Sequence, residues 1–132
     1  MQLNTYLSFD GTCADAFKFY EKCLGGKIVM TMTYKDSPMA SQMPPEMGLK
    51  ICHTSLEIDG GLLMGSDSPP GRYEAPKGFW VSVGCDAAKG GTIFAELAEG
   101  GTVVMPFQKT FWAAGFGMAI DRFGIPWMVN CQ

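Results

Sequence analysis

Two segments of the chain resemble each other, and this internal repeat restricts the fold more than any other feature of the sequence. Residues 24–30 (LGGKIVM) resemble residues 99–105 (EGGTVVM), so that corresponding residues, such as Gly25 and Gly100, lie 75 positions apart. At the same spacing, the alternating segment 6–9 falls on segment 81–84. Such a repeat predicts that one supersecondary unit is used twice.

The first copy has the pattern of a strand followed by a helix. Segment 6–9 alternates between side-chain types and predicts a short strand. Thr12, with Asp15 three residues later, predicts the helix N-cap, and Gly25 predicts the helix end. The apolar residues between them recur at helical spacing and form one stripe: Cys13, Ala16, Phe17, Tyr20 and Leu24.

The second copy repeats this order with a shorter helix. Thr92 predicts its cap, Phe94 and Leu97 predict its apolar side, and Gly100 predicts its end. Segments 56–64 and 118–128 then predict one β-hairpin in each copy. Each copy is therefore expected to have the order strand, helix, strand, strand, strand.

Two stretches rich in proline separate these elements. Residues 35–50 are an insertion in the first copy and predict a loop, and residues 66–77 predict the linker between the copies. We expect a first β-α-β-β-β module at residues 1–68 and a second at residues 76–132. Because about 60 residues bury too little surface alone, the modules are expected to share one core in a single α+β domain, residues 1–132.

Composition excludes several classes of function. The single histidine, His53, cannot supply a metal site built on two or three imidazoles. The five cysteines include no C-x-x-C pair, which favours a reduced, cytoplasmic protein over a disulfide framework. A net charge of −3 without runs of Lys or Arg argues against nucleic acid, and no apolar stretch is long enough for a membrane span.

Several motifs resemble the PhnB-like branch of the vicinal oxygen chelate superfamily, which includes glyoxalase I, bleomycin-resistance proteins and extradiol dioxygenases. They lie at residues 6–11 (YLSFDG), 14–20 (ADAFKFY), 64–67 (MGSD), 110–112 (TFW), 115–117 (GFG) and 121–127 (DRFGIPW), with His53 opening a strand. The resemblance implies two modules that form a glyoxalase/bleomycin-resistance-like incomplete barrel. It also implies a cavity facing the concave sheet and, usually, a two-fold homodimer.

The resemblance further implies where a metal ion would bind in this chain. The superfamily's ligand positions fall on Asn4 or Thr5, Met64, Phe79 and Met128. Phenylalanine offers no donor, and a thioether is a weak ligand for Zn, Ni or Fe. We therefore expect no metal and no cofactor at this site. A non-standard metal site would need His53, Glu57 and Asp67 together.

Strand alternation places His53, Ser55 and Glu57 on one face of the predicted strand. A histidine beside a carboxylate could act as a general acid–base group, which makes His53 and Glu57 the catalytic candidates. The alternative is a histidine that bonds a neighbouring carbonyl group at the mouth of the sheet. For Asp67, Asp86 and Asp121, each at the end of an element, capping and turn-forming roles are expected.

Aromatic and methionine side chains provide candidates for a ligand pocket, a core or a dimer interface. Phe107, Phe111 and Trp112 are expected on one long irregular strand of the second module, and Tyr6 on the first strand of the first. The predicted pocket comprises Asn4, Tyr6, His53, Met64, Phe79, Trp112 and Met128.

These patterns leave three hypotheses about function. The first is a metal-independent, PhnB-like homodimer that binds a small apolar or aromatic molecule. The second is an enzyme of lyase, isomerase or transferase type that uses His53 and Glu57. The PhnB-like family that this chain resembles is sometimes labelled demethylubiquinone methyltransferase. This chain, however, has no glycine-rich strand-to-helix turn to hold the nucleotide of a methyl donor. The third is a protein whose apolar surface serves only self-assembly.

Overall fold

The computed structural model describes residues 1–132 and divides the chain into two compact units, Met1–Glu74 and Ala75–Gln132. The first unit contains one helix and four strands. In chain order these are β1 (Thr5–Phe9), α1 (Cys13–Leu24), β2 (Lys27–Thr33), β3 (Ile51–Ile58) and β4 (Gly61–Asp67). Segment 35–50, expected to be a loop, contains only two short 3-10 turns.

The second unit has the same order of elements. They are β5 (Val81–Cys85), α2 (Ala87–Ala98), β6 (Thr102–Gln108), β7 (Gly115–Ile120) and β8 (Pro126–Cys131). The strand orders are β1-β4-β3-β2 and β5-β8-β7-β6, with the first pair parallel and the others antiparallel in each sheet. The predicted α+β fold of two β-α-β-β-β modules is confirmed. Neither helix is long and apolar enough to cross a membrane.

Helix α1 forms where the apolar stripe predicts it, but its N-terminus is capped by a distant residue. Thr12 makes no side-chain capping bond. Instead, the backbone N–H of Cys13 donates to Oδ1 of Asp67, at 2.9 Å, from the end of β4. The helix ends as expected at Gly25, whose φ of 72° lies in the left-handed region that glycine adopts without strain.

Helix α2 is longer than the sequence predicts. It begins at Ala87 behind Asp86, so Thr92 lies inside the helix instead of capping it. Gly90 and Gly91, which precede the expected cap, are therefore part of the helix. Gly90 is buried, and a Cβ at this position would collide with the Cys131 sulfur and the Phe107 ring. The glycine therefore allows the helix to lie close to its sheet.

The two modules match with spacings that differ along the chain. Thr5 pairs with Leu63 in the first sheet, and Val81 pairs with Trp127 at the same place in the second sheet. The spacing between equivalent residues of β1 and β5 is therefore one position longer than the spacing of 75 between Gly25 and Gly100. Three residues separate β1 from α1, whereas only one separates β5 from α2. The residue equivalent to Asn4 is therefore Trp80, and Phe79 precedes it by one.

Strands β2 and β6 carry an irregularity at the same place. The register of β2 against β3 shifts between Ile28 and Met30, and that of β6 against β7 shifts between Val103 and Met105. A second shift in β6 lies between Met105 and Gln108. Each of these strands pairs with only one neighbour in its own sheet. The repeat thus includes a β-bulge in a strand at the edge of each sheet.

Candidate functional site

One face of the first sheet is covered by α1 and the other is not. Leu7, Leu56 and Leu63 are buried on the helix side. Because successive side chains of a strand point to opposite faces, their neighbours lie on the other side. We call this side the open face of the first sheet, and its central residues are Tyr6, His53, Ser55 and Met64. The strand register places Met64 between Tyr6 on β1 and Ser55 on β3.

His53 makes two polar contacts on this open face. Nδ1 lies 3.2 Å from the Tyr6 hydroxyl, and Nε2 lies 3.2 Å from the Ser55 hydroxyl. Each ring nitrogen of His53 therefore has a side-chain hydroxyl group as its hydrogen-bond partner. His53 is the third residue of β3 and bonds side chains, so it neither opens the strand nor takes a backbone carbonyl as its partner.

The structure does not bring His53 to Glu57. The two residues share a face but are separated by four positions along β3, roughly 13 Å in an extended strand. Glu57 is exposed and lies opposite Lys27 in the β2–β3 register. It borders a shallow hollow of about 410 Å³ with Asn4, which is apart from the His53 contacts. The hydrogen-bond partners of the imidazole are Tyr6 and Ser55.

His53, Glu57 and Asp67 cannot form a metal site together, because Asp67 lies on the face of the sheet opposite to His53 and Glu57. The Asp67 side chain is buried and accepts hydrogen bonds from the backbone N–H groups of Cys13, at 2.9 Å, and Ile51, at 2.8 Å. No cluster of three or more His, Cys, Asp or Glu side chains with metal-binding geometry is present. Asp67 has the capping role expected of it.

The open face of the second sheet is the side not covered by α2. Trp127, Val129 and Cys131 are buried toward the helix. The alternate residues of β8 and their neighbours form the other side, whose central residues are Ser82, Phe116, Met128 and Asn130. In the register, Ser82 lies opposite Met128, and Asn130 lies between Gly84 and Phe116.

Trp112 belongs to this open face but does not lie on a strand. Phe107 is on β6, whereas Phe111 and Trp112 lie in the connection between β6 and β7, so the expectation of one long strand is wrong. The Trp112 ring packs edge-on against Phe116 with centroids 5.2 Å apart, and Phe111 packs against Trp112 at 4.7 Å. These contacts hold an exposed indole beside the sheet.

Asn130 is a candidate residue that the sequence reasoning missed. Its Oδ1 atom is buried and accepts no hydrogen bond. A buried polar atom without a partner costs about 1–3 kcal/mol, so such atoms are uncommon in folded proteins. Strand alternation was the available signal, because Asn130 is two residues beyond Met128 and therefore shares its face.

The residues at the superfamily's ligand positions do not fit a divalent metal ion. Met64 and Met128 lie on the two open faces and offer only thioethers. The residue equivalent to Asn4 is Trp80, whose indole nitrogen is a hydrogen-bond donor, and Phe79 has no donor atom. Of the four positions, only that of Asn4 provides an oxygen ligand.

Cys85 provides a test of the electrostatics within the second module. Its sulfur lies 3.6 Å from the Cys131 sulfur, and its pKa is raised to about 11 by burial, by this hydrogen bond and by the nearby charge of Asp86. Because the thiolate is the reactive form, Cys85 should react with iodoacetamide at pH 8 roughly 100-fold more slowly than an ordinary thiol. Its rate should keep rising up to about pH 11. Mass spectrometry of the Cys85 peptide measures this rate, with urea-unfolded protein as the control, and a midpoint near pH 9 would contradict the assignment.

Comparisons with known proteins agree with this architecture. The sequence profile of the Glyoxalase/Bleomycin resistance protein/Dioxygenase superfamily matches residues 2–129. The protein YjdN of Escherichia coli K12 is 34% identical, and the alignment covers 98% of this chain and 95% of YjdN.

Two solved structures show the same fold. The crystal structure of PA1353 from Pseudomonas aeruginosa is 43% identical with a TM-score of 0.92, covering 100% of this chain and 98% of that one. A Bacillus cereus PhnB protein described as a putative 3-demethylubiquinone-9 3-methyltransferase is 22% identical with a TM-score of 0.83, covering both chains completely. The chain therefore belongs to the Glyoxalase/Bleomycin resistance protein/Dioxygenase superfamily.

Proposed function

We propose that this chain is a PhnB-like, metal-independent binding protein that holds a small apolar or aromatic molecule against the open faces of its sheets. The observation that carries the proposal is the chemistry of Met64 and Met128. These residues occupy superfamily ligand positions with side chains that suit apolar contact and do not suit Zn, Ni, Mn or Fe. We further propose that it acts as a homodimer in the cytoplasm.

The neighbouring side chains support an apolar ligand. Met30 and Met32 on β2 pair with Ser55 and His53, so they lie on the open face of the first sheet. Met105 and Met118 pair with each other on the open face of the second sheet, beside Met128. Methionine is flexible and polarizable, and such surfaces adapt to apolar ligands of different shape. Tyr6 and Trp112 add exposed aromatic rings.

Metal analysis of protein purified without chelators tests the proposal. We expect far less than one equivalent of Mn, Fe, Ni, Cu or Zn per chain, and no change in melting temperature when these ions are added, because ligand binding would stabilise the folded state. Met64→Leu is the matched control and should behave as the wild type does. One tightly bound equivalent that disappears in Met64→Leu would contradict a metal-independent site.

The contacts of His53 favour an acid–base enzyme as the second candidate. Tyr6, His53 and Ser55 form a continuous line of polar groups that runs from the exposed Tyr6 to the buried Ser55, which is an arrangement that can move a proton. Incubation of the wild type, His53→Ala and Tyr6→Phe with a bacterial metabolite extract separates the candidates. We expect the same molecules to be retained and none to be converted by any of the three proteins. Conversion by the wild type that is lost in His53→Ala would favour the enzyme.

A further inference from the structure

The side-chain amide of Asn130 has a polar atom for which the fold provides no partner. Its buried Oδ1 atom accepts no hydrogen bond within the protein, although the residue lies on a strand between two paired neighbours. An asparagine with a structural role normally bonds the backbone or a nearby side chain. Asn130 is only partly buried, and a turn of its side chain toward the open face presents the amide oxygen as an acceptor and the amide nitrogen as a donor to a bound molecule.

Space is available beside this amide. Gly84 is opposite Asn130 on β5, and an added Cβ there would meet no atom within 4 Å. The backbone of Gly84 is not in the left-handed region, so the conformation does not require glycine. The absence of a side chain therefore leaves room on the open face of the second sheet at the position of the unpartnered amide.

An aromatic surface lies on the other side of Asn130. Phe116 is its partner on β7, and the Trp112 ring packs against Phe116. Trp112 is 46% exposed, so its indole can make further contacts. A flat ring can lie against such a surface while a polar group on its edge reaches the amide.

We propose that Asn130, Gly84, Phe116 and Trp112 form a subsite for a flat ring that carries an adjacent N–H and C=O, as in a cyclic amide. The ring lies over the space left by Gly84 and against the aromatic side chains. Its N–H donates to Asn130 Oδ1, and its carbonyl accepts from Asn130 Nδ2. This inference rests on the proposed function and names the class of ligand that the second sheet selects.

Nuclear magnetic resonance of ¹⁵N-labelled protein with three small probes tests the subsite. The probes are 2-pyridone, N-methyl-2-pyridone, which lacks the N–H donor, and benzene. We expect 2-pyridone to shift the side-chain amide signals of Asn130 and the indole N–H signal of Trp112, which is assigned with Trp112→Phe. Its affinity should exceed that of the other two by about tenfold, because they leave the amide oxygen unpaired.

Two variants complete the experiment. Asn130→Leu should bind 2-pyridone and benzene equally, with a melting temperature no lower than that of the wild type, because the amide has no partner in the fold. Gly84→Val should weaken 2-pyridone binding by filling the space. Equal binding of all probes to the wild type, or a lower melting temperature for Asn130→Leu, would overturn the subsite and leave the proposed function intact. If no probe shifts any residue of either open face, the proposed function fails with it.

Discussion

Replacing Asp67 by alanine should lower the free energy of unfolding by about 3 kcal/mol, since hydrogen bonds to a charged group contribute about 1.5–3 kcal/mol each. The carboxylate accepts from the first residue of α1 and from the first residue of β3, Cys13 and Ile51. Without it, two buried N–H groups lose their partner. Urea unfolding followed by circular dichroism measures the loss.

Two further variants show whether the hydrogen bonds are the cause. Asp67→Asn keeps the shape but directs an amide donor at one of the two N–H groups, so it should lose part of the stability. Asp10→Ala removes a carboxylate from an exposed position and should change the free energy of unfolding by less than about 0.5 kcal/mol. Equal values for Asp67→Ala and Asp10→Ala would contradict this account of the α1 N-terminus.

Replacing Gly101 by alanine is the second large effect that we expect. A Cβ at Gly101 would overlap the carbonyl oxygen of Ile120 and approach the Asp121 Cα to 2.9 Å. These are backbone atoms, so relief requires β6 and β7 to separate at the start of their pairing. We expect a loss of about 2–4 kcal/mol in the free energy of unfolding, which is in the range of severe overpacking.

Gly84→Ala is the matched control for Gly101→Ala. It is also a glycine associated with the second sheet, but its added methyl group meets no atom within 4 Å. We expect its free energy of unfolding to stay within about 0.5 kcal/mol of the wild type. A loss in Gly101→Ala no greater than that in Gly84→Ala would show that the strands adapt to the methyl group.

The glycine pairs illustrate what the sequence could predict about the fold. Gly25 and Gly100 have φ values of 72° and 75°, which agrees with their expected position after a helix. Gly26 and Gly101 have a different role, because a Cβ at either would strike the backbone of the neighbouring strand. Local patterns predict the first role, whereas the second depends on a strand that is distant in sequence.

The failed predictions have the same cause. Thr12 has the local signature of a cap, but the N–H of Cys13 donates to Asp67, which lies 54 positions beyond Cys13 in the chain. Thr92 has the same local signature, but α2 begins at Ala87 and includes Gly90, where the sheet leaves no room for a larger side chain. In each case a tertiary contact decides the local structure.

For the candidate site too, local sequence patterns predicted the arrangement within one strand but not the contacts between strands. Alternation along β3 placed His53 and Ser55 on one face, and the structure agrees. The contact with Tyr6 depends on the order of β1, β4 and β3 in the sheet, which alternation within one strand does not reveal. Alternation along β8 could have placed Asn130 on the face of Met128, but its missing hydrogen bond depends on its neighbours in the fold and has no sequence pattern.

The bulges in β2 and β6 have a consequence for how this chain behaves at high concentration. Both strands pair with only one neighbour in their own sheets, and an uninterrupted row of free N–H and C=O groups would recruit strands of other molecules. The register shifts leave Val29 and Val104 unpaired, and Pro106 removes one further N–H from β6. These edges cannot template a regular ladder, so a chain with 47% apolar residues is protected against edge-to-edge aggregation at β2 and β6.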